Sequence, residues 1–219
     1  GDGTITVPAG VTDFTVTYPT LTDNILENDE TTTITIGNDS GTGTIIDNDT
    51  APTLTVNDNS VTEATGNTVS NSFDITDPQS VTALTVNGQD VTLATSGNPI
   101  TILGGNAGTL VITNYDATTG KLTYEYTEND NAEDHSAGAV FDQFDVVLTN
   151  TIGDTINDIL DIEIIDTAPT ANDDKNTISE EIDTVSGNVL TSTGAATDDV
   201  ADDLGADNSI TATTVTAVN

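Results

Sequence analysis

Residues 160–164 read Leu-Asp-Ile-Glu-Ile, so Leu160, Ile162 and Ile164 alternate with Asp161 and Glu163. In an extended strand a period of two sends every apolar side chain to one face and every acid to the other, whereas a helix would scatter them around its circumference. The same alternation recurs along the chain in short runs rich in Val, Ile and Thr, bounded by Gly, Asn, Asp and Pro, and no segment keeps a 3.6-residue period. These runs predict an all-β fold built from half-buried strands.

A repeated phrase divides the chain. Ile45-Ile46-Asp47-Asn48-Asp49-Thr50-Ala51-Pro52-Thr53 is echoed by Ile164-Ile165-Asp166-Thr167-Ala168-Pro169-Thr170, and each copy closes an apolar strand with acids before opening the next segment on Ala-Pro-Thr. The echo continues downstream, because Glu63 follows Pro52 by 11 residues and Glu180 follows Pro169 by the same 11. The expected organisation is therefore three units, 1–49, 50–167 and 168–219. The first offers strands at 4–7, 13–18, 31–36 and 42–46, too few to cover a core, and reads as the C-terminal half of a domain. The middle unit offers strands at 53–56, 71–76, 81–86, 90–94, 99–103, 109–115, 121–127, 140–150 and 154–165, enough for two sheets in an immunoglobulin-like β-sandwich. The last, with strands at 176–179, 184–190 and 210–218, reads as the N-terminal half of a further domain. One complete and two partial sandwiches suggest a piece of a tandem array. The alternative is that halves of successive chains pair into a head-to-tail fibre.

Against 37 acids the chain sets only Lys121 and Lys175, a formal net charge of −35. That much like charge opposes compaction unless something neutralises it. Acidic chains are often disordered, but here the apolar residues are organised into strands, which leaves disorder as a reading only for 191–208. Two dispersed lysines cannot neutralise phosphates, which excludes nucleic acid as a partner. No apolar run is long enough to cross a bilayer, so membrane insertion is not expected. With no cysteine there is no disulfide, and bound metal is the remaining staple for an extracellular chain.

Strand polarity assigns the acids to the two ends of a sandwich. In the first unit the loop 19–30, carrying Asp23, Glu27, Asp29 and Glu30, should meet Asp47 and Asp49 at the first junction, with Asp77 of the middle unit as a further ligand. In the middle unit the loop 128–135, with Asp130 and Asp134, should lie at the far end beside Asp166. Glu63 should reach the same end, since 11 extended residues span on the order of 35 Å. Asn172 and Asp173 approach from beyond the junction. Crowded carboxylates without basic partners call for a hard divalent cation, and calcium takes about six to eight oxygens from such donors, whereas zinc would want His or Cys. The competing explanations are solvated acidic loops without a specific ion and a generally acidic halophilic surface. The latter does not account for acids collecting at domain ends.

These junctions resemble the interdomain linkers of cadherin-like repeats, with Glu63, the acidic loop and the Asp-rich linker matching the three cadherin ligand groups in position. Glu133-Asp134-His135, Asp142-Gln143-Phe144-Asp145, Gly153-Asp154-Thr155 and the strand from Leu160 to Asp166 resemble the repeats of large RTX-type adhesins exported by bacterial type I secretion. Residues 1–49, ending Gly41-Thr42-Gly43-Thr44-Ile45-Ile46-Asp47-Asn48-Asp49, look like the close of a Calx-β-like or bacterial Ig-like repeat. The glycine-rich nonapeptide calcium repeats of RTX proteins are absent. The resemblance implies a calcium-stiffened extracellular spacer on a bacterial surface, with neighbouring repeats as its partners.

An enzyme is not expected. His135, the sole histidine, reads as a turn residue of its acidic loop, and no cysteine nucleophile exists. The rival reading is a carbohydrate- or peptide-binding module using loops 94–107 and 129–138. Few aromatics are available for it, and Tyr115, Tyr124 and Tyr126 fall on strands, where packing is the expected role.

Overall fold

The computed structural model describes residues 6–17, 19–64, 66–129, 133–173, 180, 201–203 and 205. Among them the chain is all-β, with two short 3-10 turns, Pro78–Ser80 and His135–Ala137, and no α-helix. No helix among the described residues is long and apolar enough to cross a membrane.

The first element is a hairpin of β1 (Glu30–Ile36) and β2 (Asp39–Ile45), paired antiparallel around Gly37-Asn38. Gly37 takes a φ of 62°, the left-handed geometry a two-residue hairpin turn requires. Nearly every residue of both strands is exposed, so the hairpin has no core of its own and is marginal in isolation. The strand expected at 13–18 does not form over residues 13–17, nor are residues 6 and 7 in a strand. Alternation alone cannot hold a strand that has no neighbour to pair with. The strands expected at 176–179, 184–190 and 210–218 lie outside the described residues.

Ten further strands form two five-stranded sheets. They are β3 (Leu54–Thr55), β4 (Asn59–Thr62), β5 (Thr68–Ile75), β6 (Val81–Val86), β7 (Gln89–Asp90), β8 (Ile100–Ile102), β9 (Gly108–Asp116), β10 (Lys121–Glu128), β11 (Val140–Asn150) and β12 (Thr155–Ile165). One sheet runs β3-β5-β10-β9-β8 and the other β4-β12-β11-β6-β7. The inward positions follow the period of two. Leu122, Tyr124 and Tyr126 of β10 and Leu110 and Ile112 of β9 join one cluster with Phe144, Val146 and Leu148 of β11 and Leu160, Ile162 and Ile164 of β12. Each such side chain, fully buried, contributes roughly 1.5–3 kcal/mol, which makes this sandwich the stable body of the chain.

Two local features depart from the expected strands. The strand expected over 90–94 stops at Asp90, because the Asp90 carboxylate accepts from both Thr92 N (2.8 Å) and Thr92 Oγ1 (2.7 Å) and bends the chain into a turn. The second is β4, which the sequence pattern missed. After β3 the chain leaves one sheet, crosses over at Val56–Asp58, and pairs parallel with the end of β12, Thr62 opposite Ile165. The crossing is pinned by the Asp158 carboxylate, which accepts from Val56 N, and by Asp58, which accepts from Asp161 N.

Candidate functional site

Strand direction gives the sandwich two distinct ends. The near end carries Asp77, Ser80 and the β11–β12 turn; the far end carries Glu63, the loop after β10 and Asp166.

At the near end the first hairpin is tied down by its preceding loop. Leu26 N donates to Ser80 Oγ at 2.8 Å, and the Leu26 carbonyl accepts from Thr151 Oγ1. Beside this contact two stretches of acid line one solvent-open cleft, Asp23, Glu27 and Glu30 from the loop and Asp47 and Asp49 from the linker. Asp77 stands beside it in left-handed geometry (φ 45°), its carboxylate accepting from Thr50 Oγ1 at 2.8 Å. Asp23, then Glu30, push the Glu27 carboxyl above its ordinary range. Asp49 is raised by partial desolvation first, then by Asp47 and Asp23, with Asp77 also contributing. Asp47 moves the other way, held low chiefly by the Glu27 N–H that donates to it at 2.9 Å. Asp29 accepts from Asp47 N at 3.0 Å. Asp29 and Asp47 therefore act as clamps on the backbone, while Glu27 and Asp49 carry the unrelieved repulsion. Lys121 makes no ion pair with any of these acids.

At the far end three acidic side chains are inside, while Asp166 is exposed. Glu63, Glu128 and Asp142 are each at most 1% exposed. Asp142 is fully provided for: Oδ1 accepts from Asn106 N at 2.8 Å, and Oδ2 accepts from Gly108 N at 3.0 Å and from the Tyr126 hydroxyl at 2.9 Å. Burial, reinforced by that bond to Asp142, pushes the Tyr126 hydroxyl far above its ordinary range. Gly108 permits the close approach, since a Cβ there would lie 2.2 Å from the Tyr126 ring. This constellation ties the loop before β9 to β11 and is structural.

Glu63 is provided for only in part. Its Oε1 accepts from Glu133 N at 2.7 Å. Its Oε2 is buried without a hydrogen-bond partner among the described residues and lies 3.7 Å from His135 Nε2, which is in the same condition. An Asp166 carboxylate oxygen completes a set in which all three ligand atoms lie within 4.8 Å of one another. The backbone enforces the meeting, because Glu63 N donates to Ile165 O at 2.9 Å and so sets Glu63 directly beside Asp166.

The structure thus unites Glu63 with Asp166, as strand length predicted, and adds His135. Asp134 turns away: its carboxylate accepts from Ser136 N at 2.9 Å and caps the 3-10 turn, which holds its carboxyl below the usual range. That turn presents His135 to Glu63. Asn172 is engaged elsewhere, donating from its backbone to Asp202 and from its side chain to the Ala201 carbonyl. Asp173 is exposed and belongs to no three-ligand cluster among the described residues, and Asp130 lies outside them. Glu27, Asp29, Asp47, Asp49 and Asp77 do gather at the near end, but no three of the described acids there bring ligand atoms within 4.8 Å of one another. In kind, the near-end donors are oxygen only and suit a hard cation. The far-end set mixes two carboxylates with an imidazole.

No protein-family model, curated protein or solved structure matches the chain.

Proposed function

We propose that this chain is a non-enzymatic extracellular spacer, a run of immunoglobulin-like, cadherin-like domains whose junctions are stiffened by divalent cations, with calcium at the near-end junction. The domain assignment is supported by the strand order. Lettering β3, β5, β6, β9, β10, β11 and β12 as A, B, C, D, E, F and G gives sheets A-B-E-D and G-F-C, and β4 is the part of the first strand that switches sheets. The observation that carries the functional reading is the convergence at the near end of acids from the loop and the linker, with Asp77 of the sandwich held beside them through Thr50, with Glu27 pushed up by Asp23 and Glu30, Asp49 by desolvation and then by its acidic neighbours, and Lys121 paired with none of them. Glu27 and Asp49, with Asp77 from the sandwich side, would hold the ion, which would supply charge neutralisation and a rigid bridge between hairpin and sandwich.

The ligand-binding alternative draws no comparable support. Tyr115, Tyr124 and Tyr126 are buried in the core, so the platform a sugar would stack on is missing among the described tyrosines.

Export in an unfolded state, followed by folding as calcium near 10⁻⁴–10⁻³ M fills the sites, accounts for an acidic chain without disulfides. Thermal melts and small-angle scattering of the chain in calcium and in EGTA test the reading. Chelation should lower the melting temperature and broaden the distribution of intraparticle distances as the hairpin swings free of the sandwich. Unchanged melts and unchanged scattering would remove the spacer mechanism.

A further inference from the structure

We propose that the far-end junction is a site for a borderline divalent metal of the zinc class, with Glu63 Oε2, His135 Nε2 and one Asp166 oxygen as its protein ligands. It rests on the reading that a cation bridges this junction, and it names a different ion from the near end.

Acids in proximity would not carry this alone. The deciding feature is Glu63, 1% exposed, whose Oε2 is sealed from water and has no hydrogen-bond partner among the described residues. Leaving a buried carboxylate oxygen unmatched is costly, and such an atom points to a ligand. The atom it faces is also a buried, unpartnered potential ligand, His135 Nε2. Their separation of 3.7 Å is beyond hydrogen-bonding distance. It is close to the roughly 3.4 Å between two ligands held tetrahedrally on a metal at about 2.0–2.2 Å.

Donor chemistry then selects the ion. Calcium and magnesium take oxygen, and an imidazole contributes little to either. Zinc accepts both imidazole nitrogen and carboxylate oxygen in one tetrahedral shell, and three such ligands leave a fourth position open. The near-end junction, with oxygen donors only, has no such bias. The two junctions of one chain would accordingly respond to different ions.

The test exploits the single histidine and the absence of cysteine. In the untagged full chain, the imidazole signals of a ¹H–¹³C correlation spectrum report on His135 alone. Titration with ZnCl₂ at pH 7 should shift them to saturation, and CaCl₂ should not. Glu63→Gln should abolish zinc binding by calorimetry, and His135→Gln and Asp166→Asn should each weaken it at least tenfold, while Asp116→Asn, in the β9–β10 turn at the opposite end of the sandwich, leaves it within twofold. Because Asp166 and His135 are not core residues, their variants keep the test decisive should Glu63→Gln fail to fold. A zinc shift undiminished in Asp166→Asn and Glu63→Gln would mark an adventitious surface histidine and overturn the site. Calcium binding at His135 more tightly than zinc would overturn the ion assignment while keeping the bridge. No shift with either ion would overturn both.

Discussion

Glu63→Gln should change the sign of its effect with the metal content of the buffer. In chelator, the substitution keeps an oxygen to accept from Glu133 N (2.7 Å in the wild type) and replaces the unmatched Oε2 with an uncharged amide facing His135 Nε2. A buried polar atom without a partner costs about 1–3 kcal/mol, more when charged, so the variant is expected to be more stable by about 2 kcal/mol. In metal at a hundredfold its dissociation constant, the wild type gains about 2.7 kcal/mol that the variant cannot reach. The order then reverses by about 0.7 kcal/mol. At roughly 4 °C per kcal/mol for a body of this size, the variant should melt about 8 °C above wild type in EDTA and about 3 °C below it in saturating metal. Differential scanning calorimetry of both proteins in both buffers measures this directly. A variant less stable than wild type in EDTA would refute the reasoning, since Oε2 would then be making a favourable interaction without any ion.

Three further outcomes follow from the same geometry. Tyr126→Phe, which removes the donor 2.9 Å from the buried Asp142, should cost about 2 kcal/mol in urea unfolding, against about 1 kcal/mol for Tyr124→Phe, whose hydroxyl reaches a neutral carbonyl, that of Asn57, at 3.1 Å. Equal losses would mean that Asp142 is not the anchor described. Asp116 is held below the ordinary aspartate range chiefly by Thr118 N–H, so its contribution to the β9–β10 turn is fully present above the unfolded value of about 3.9 and is lost as the pH falls through the lower folded value. Asp116→Ala should therefore melt below wild type at pH 7, with the gap closing as the pH drops below that range. Ser80→Ala removes the acceptor for Leu26 N and should speed proteolysis around residues 19–49 while leaving the melting of the sandwich within about 2 °C.

Much of this was legible in the period of two. It located β6, β9, β10, β11 and β12 to within a residue or so, because those strands are long, have one buried face and pair on both edges or in long hairpins. The same rule, carried one step further, finds the buried polar residues. Glu128 continues the inward series of Leu122, Tyr124 and Tyr126, and Asp142 and Asn150 continue that of Phe144, Val146 and Leu148. In sequence they are masked because a polar residue next to a turn reads as a solvated loop residue. His135 was hidden differently. Its role depends on Asp134 capping a 3-10 turn that rotates the next residue inward, and composition cannot distinguish a capping aspartate from a ligating one.

The strand that the pattern missed is the one that builds the far-end site. Asn57-Asp58-Asn59-Ser60 has the composition of a turn, and by length alone the chain from Leu54 to Glu63 reads as one extended path that carries Glu63 to the far end. In fact the path breaks at Val56–Asp58 and resumes as β4 in the opposite sheet, parallel to β12. Length alone would have delivered Glu63 to the correct end of the sandwich but to either sheet. Parallel pairing does more: with Thr62 opposite Ile165, the next residue on each strand is Glu63 and Asp166, so the register itself joins the two carboxylates, and the Glu63 N–H to the Ile165 carbonyl closes the pair. A one-residue slip of β4 would move Val61 off the core face and Glu63 away from Asp166 together. The burial of Val61 therefore protects the geometry of the site, and the acids at this junction meet because the core requires it.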